Sequence, residues 1–135
     1  MSATIHTLNP PTLWTVPEGF RNVYSHAAVA SEASKLLFLS GQFGVRPDGS
    51  LPATFPEQAA QAMANVEAIL DEAGMSFANV AKLKFFLIRN ADAPDLVKLR
   101  AEKWGGTPPP AVTVLTVSAL AKPEYLIEIE AIALA

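Results

Sequence analysis

Between Thr54 and Gly74 the chain carries one long stretch with a helical period: Phe55, Ala59, Ala62, Met63, Val66, Ile69, Leu70 and Ala73 recur at spacings of three and four. That spacing gives a helix one apolar face, which must be buried against another element. Thr54 is placed to cap its start, with Glu57 where a capping box needs it, and Gly74 falls where a C-terminal cap belongs. A second helix is predicted from Asp92, whose carboxylate can cap it, through Leu96, Leu99 and Lys103 to Trp104. Gly105-Gly106 ends it, and Thr107-Pro108-Pro109-Pro110 reads as a stiff connector. The flanking segments are apolar and of β type. The opening to about Gly19 reads as a short strand and an irregular loop. Val23 to Ala30 and Lys35 to Gln42 predict two paired strands joined at Ser31 to Ser34, and Arg46-Pro47-Asp48-Gly49 predicts a turn. Val80 to Ile88, Ala111 to Ser118 and Tyr125 to Leu134 predict three more strands. Strands, helix, strand, helix, strands make an α+β fold: a mixed sheet with two helices on one face.

A chain of 135 residues without repeat or linker is expected to form one domain, 1–135, burying roughly two-thirds of its unfolded surface. Half of the residues are hydrophobic and 17% are charged, against about 25% charged in an ordinary domain. So much apolar surface in so small a domain predicts an oligomer, with a partner subunit covering the sheet face that lacks helices. The net charge of -3 argues against nucleic acid, whose phosphates call for clustered Lys and Arg. Cysteine is absent, which removes thiolate nucleophiles and disulfides. His6 and His26 stand too far apart to suggest a metal site, so none is expected. Apolar runs such as Leu36 to Leu39 are far short of a membrane span, and the N-terminus has no secretory pattern. The expectation is a cytoplasmic protein without membrane attachment.

The final strand has the most unusual pattern. Alternation puts Ile127, Ile129, Ala131 and Ala133 under the helices and Leu126, Glu128, Glu130 and Ile132 on the other face. Two carboxylates about 7 Å apart among apolar neighbours suit acid or base work, although a solvated face or an ion pair between subunits is the commoner use of such a pattern. Ser40-Gly41-Gln42 ends a strand where glycine lets backbone approach a ligand, or simply where the strand stops. Tyr24 and His26 read first as packed residues, and Lys82 and Lys84 as a solvated strand face. No nucleophile elbow, phosphate loop or dinucleotide fingerprint is present.

At these residues the chain resembles the RidA/YjgF family, over nearly its whole length from Tyr24 to Ala133. The resemblance rests on Tyr24-Ser25, Leu36-Leu37-Phe38-Leu39-Ser40-Gly41-Gln42, Gln58 to Asn65 with Ala73-Gly74, Val80 to Leu87, Pro110-Ala111, and Ile127-Glu128-Ile129-Glu130-Ala131-Ile132-Ala133. It implies a chorismate-mutase-like fold and a homotrimer with a small-molecule cleft between subunits. Relatives of the RidA type hydrolyse reactive enamines and imines to ketoacids and ammonia without cofactor; some deaminate 2-aminomuconate. Others carry ribonuclease labels, which the acidic balance here does not support. Carried over by position, Glu128 activates water, Tyr24 and Ser40 complete the catalytic frame, and Gly41, Ala111 and Val112 line the substrate. The chain departs from the family at three places, one being a slightly shortened connector before Pro110. Val112 stands where active deaminases have an arginine that grips the substrate carboxylate, and Asn22-Val23 replaces a Gly-Pro before the tyrosine. The resemblance thus implies an imine or enamine hydrolase of altered substrate, with Arg46 and Arg89 as the unassigned cations. The other reading is a non-catalytic trimer that binds a metabolite.

Overall fold

The computed structural model describes residues 3–104 and 108–135. The long helix forms where the period demands it: α1 runs Phe55–Glu72 and buries Phe55, Ala59, Ala62, Met63, Val66 and Leu70. The Thr54 hydroxyl accepts the Glu57 N–H at 3.4 Å; among the described contacts Glu57 does not return the bond, so the cap is one-sided. Gly74, at φ 72°, closes the other end. Its N–H reaches the Asp71 carbonyl at 3.0 Å, and the Met75 N–H reaches that of Leu70 at 2.8 Å. These two bonds are a Schellman cap, which requires the left-handed backbone that glycine adopts without strain.

Around α1 lie β1 (Thr4–Leu8), β2 (Ala27–Ser31), β3 (Leu36–Phe43), β4 (Val80–Leu87), α2 (Ala93–Lys103), β5 (Ala111–Thr116) and β6 (Ile127–Leu134). The main sheet has the order β3-β6-β4-β5, parallel between β4 and β5 and antiparallel elsewhere. This is the mixed α+β architecture that the pattern predicts. Leu83, Phe85, Leu87, Ile127, Ile129, Ala131 and Ala133 form the helix-side face, and their core includes Met63, Val66 and Leu70 of α1, Leu96 of α2, and Trp104. Among the described residues no helix covers the opposite face, which leaves Leu36, Phe38, Leu115 and Ile132 exposed. Among the described residues no helix is long and apolar enough to cross a membrane.

Three details differ from the sequence reading. The expected pairing of Val23–Ala30 with Lys35–Gln42 does not form. Instead β2 pairs with β1, from Thr4 opposite Ser31 to Leu8 opposite Ala27, and β3 pairs with β6. Glu32, at φ 57°, turns the chain between them, and the Ser34 and Lys35 N–H groups are taken by the Ala135 carbonyl, both at 2.9 Å. Second, Asp92 does not cap α2 with its side chain. Its carboxylate is held by Arg89, with Nε at 3.0 Å and a terminal nitrogen at 3.3 Å, and a charged two-point contact outweighs one bond to a backbone N–H. Third, β6 starts at Ile127 because the Leu126 N–H goes to the Gln58 side chain at 2.9 Å rather than to a strand. The Gly105-Gly106 stop and Thr107 lie outside the described residues.

Candidate functional site

The six residues expected to share a site fall into two groups. The first centres on Glu128. Its cross-strand neighbours are Phe43 on β3 and Phe86 on β4, and Phe43 stacks on Tyr125 with ring centres 4.4 Å apart. Between Leu39 and Gln42 the register of β3 against β6 slips, so that Ser40 and Gly41 together oppose Glu130. This bulge brings the Gly41 backbone against the Glu128 carboxylate. A Cβ on Gly41 would lie 2.6 Å from the Glu128 Cδ and 2.8 Å from its Cγ. Gly41 is therefore demanded by space, and what occupies that space is the acid's own head group.

The two acids on this face are not equivalent. Glu130 pairs with Lys84 at 3.6 Å. Glu128 has no hydrogen bond or ion pair among the described residues, and burial, helped by the charge of Glu130, pushes its carboxyl above the ordinary pKa. A carboxylate that is raised, unpaired and bordered by phenylalanines can take and return a proton. Ser40 is exposed, and its carbonyl accepts the Gln42 side chain at 3.1 Å.

The second group centres on Tyr24. Ser25 fastens this segment to the connector before β5: its hydroxyl donates to the Pro109 carbonyl at 2.8 Å, its N–H to that of Pro110 at 3.0 Å, and it bridges Ala111. The Tyr24 ring is thereby set beside Val112, between Phe20 at 6.4 Å and His26 at 6.0 Å. A recess of about 220 Å³ opens among Phe20, Tyr24, Arg100, Val112 and Val114. His26 is committed elsewhere, its Nε2 lying 2.6 Å from the Trp14 carbonyl.

Within one chain the two groups stay apart. Val112 stands opposite Leu83, whose side chain is buried on the helix side, whereas Glu128 stands opposite Phe86, one residue out of that phase. Directly opposed residues share a face, so Val112 and Glu128 project from opposite faces of the sheet.

Neither arginine suggested by the sequence reaches either group. Arg46 bonds the Ser50 hydroxyl at 3.1 Å inside its own turn, and Arg89 is bound to Asp92. The cation beside Val112 is Arg100 of α2, which sequence reasoning missed. It stands four residues after Leu96, on the helical face that Leu96 buries, and that spacing was the available signal.

The profile of the family described as Endoribonuclease L-PSP matches residues 19–135. The chain belongs to the RidA/YjgF family. A RutC family protein of Pasteurella multocida is 34% identical over 140 residues, with 98% of each chain covered. A Rid family protein of Yersinia pestis, YyfB, whose function is unknown, superposes with a TM-score of 0.86 at 28% identity, covering 97% of this chain and 98% of that one. E. coli TdcF, solved with bound serine, gives a TM-score of 0.68 at 30% identity over 83% of this chain and 87% of its own. The chorismate-mutase-like fold of these Rid proteins is the fold of this one.

Proposed function

We propose that this Rid protein hydrolyses a reactive imine or enamine, without cofactor, at a cleft formed between subunits of a homotrimer. The observation that carries this reading is Glu128: a partly buried, unpaired carboxylate above a glycine that makes room for it. Glu128 takes a proton from water as the water oxygen bonds to the imine carbon. That proton passes to nitrogen to give an amino alcohol; Glu128 then moves the new hydroxyl's proton to nitrogen as the C–N bond breaks, so that ammonia leaves and a carbonyl stays behind. The raised proton affinity of Glu128 makes it a stronger base for the uptake than an ordinary carboxylate.

The two faces of the sheet support the intersubunit cleft. A ligand touching Tyr24 and Val112 of one chain meets Glu128 only where a second copy presents its open face. The exposed Phe38, Leu36 and Ile132 on that face are the surface such a copy would cover. TdcF holds serine, an amino acid of the size that an imino-acid substrate would have.

The test is ammonia release from imino acids generated in situ. Glu128→Gln keeps the shape and removes the base, so the enzyme-dependent rate should fall about 100-fold or more. An unchanged rate would overturn the assignment.

A further inference from the structure

Arg100 is 4% exposed, and among the described residues no carboxylate pairs with it. One terminal nitrogen donates to the Val23 carbonyl at 2.5 Å, the guanidinium carbon lies 5.0 Å from the Phe85 ring centre, and Nε has no hydrogen-bond partner. One carbonyl and one ring are little recompense for a buried full charge, whose isolation is normally avoided by pairing. Burial lowers the Arg100 pKa to about 10, so it stays charged at neutral pH.

This cation borders a recess whose other walls, Phe20, Tyr24, Val112 and Val114, bring no negative charge. Phe20 and Tyr24 also belong to a second recess, of about 200 Å³, closed by Trp14 and Pro17. The two therefore share a wall of aromatic rings, with a buried cation at one end and the indole of Trp14, 76% exposed, at the other.

We propose that Arg100 and Trp14 mark the two ends of a binding site for a carboxylate carried on an aromatic or similarly planar apolar body. The carboxylate pairs with the Arg100 guanidinium where it borders the recess; the body lies along Phe20 and Tyr24 toward Trp14. This names the substrate class of the cleft, and it rests on the hydrolase reading only for what happens to the ligand after binding.

Calorimetric titration of the full chain with phenylacetate, phenylacetamide and acetate separates the contributions of charge and ring. Phenylacetate should bind saturably, and the neutral amide about 10- to 100-fold more weakly, as expected for loss of a charge-assisted contact. Acetate, lacking the ring, should also bind at least about 10-fold more weakly. Arg100→Met should abolish the preference for acid over amide, and Trp14→Ala the preference for phenylacetate over acetate. Should Arg100→Met fail to fold, Val112→Glu decides: it gives Arg100 an internal partner, so the protein should remain folded and lose acid binding. Equal affinity for acid and amide in the wild type, or a preference surviving in either charge variant, would overturn the proposal. Because binding is read without turnover, selective acid binding by a protein that releases no ammonia would retire the hydrolase reading and leave this site standing.

Discussion

Gly41 and Gly44 stand three residues apart and are required for different reasons, which makes them separable. The nearest atoms a methyl group on Gly41 would meet belong to the flexible side chain of Glu128, whereas on Gly44 it would come within 2.7 Å of the Gln58 Cα, in the backbone of α1. Gly41→Ala should therefore leave the melting temperature nearly unchanged and reduce activity about as far as Glu128→Gln does. Gly44→Ala should cost about 1–3 kcal/mol of stability, the usual result of overpacking against something that cannot move; thermal melts and rates measured on both proteins would show whether the effects divide this way. Glu128 makes a second prediction through pH. Its carboxyl holds a proton more tightly folded than unfolded, so the folded state loses stability as pH rises through the window from the unfolded value of about 4.5 to the higher folded one. Glu128→Gln should melt above the wild type at pH 7, with the gap closing on acidification below that window; a gap that widened in acid would refute the raised pKa. The acid was legible in the sequence because alternation along a strand fixes which side chains share a face. Arg100 was not, because a charged residue in a helix reads as solvent-facing until its neighbour Leu96 is known to be in the core.

At the scale of elements, α1 was legible almost to the residue because its period, cap and terminal glycine agree. What the pattern hid was Gln58, a polar side chain only 1% exposed on the helix's buried face. Its amide nitrogen donates to the Pro52 and Glu124 carbonyls at 3.0 and 3.1 Å, and its oxygen accepts the Leu126 N–H at 2.9 Å. One side chain thus ties the loop before α1 to the segment that leads into β6. Gln58→Leu keeps the approximate volume and strands three backbone groups, so it should cost at least about 2 kcal/mol in chemical denaturation. A neutral result would mean that water replaces the amide without loss. The mispaired β2 and β3 illustrate the opposite limit of sequence reading. Both segments are apolar and adjacent, and proximity favours a hairpin, but the partner that β3 takes is the most distant strand in the chain. Local pattern carries no information about that choice.

For the whole molecule, the apolar surplus in the composition was a correct sign of surface left over: one sheet face carries Phe38 at 69% exposure, with Leu36, Leu115 and Ile132 also exposed. No residue pattern says how many copies would share that surface; the proposed three comes from the family resemblance. Light scattering should give the mass of a trimer at micromolar concentration, and Phe38→Asp, which places a charge at the most exposed large apolar side chain of that face, should shift it toward monomer. A wild-type monomer mass would remove the subunit cleft and with it the proposed meeting of Glu128 with Tyr24. The order β3-β6-β4-β5 also bears on how the chain is made. The strand that holds β3 and β4 together is the last of the six to leave the ribosome. Synthesis adds about 5–20 residues per second, so β3 and β4 wait on the order of a few seconds for the strand that joins them. Through that interval two apolar strands have unpaired edges, and nascent chains on neighbouring ribosomes of one message are the nearest wrong partners. The biosynthetic hazard of this protein therefore lies before its completion, and a chaperone that shields the nascent chain should raise its soluble yield more than slower heating or gentler refolding of the finished one.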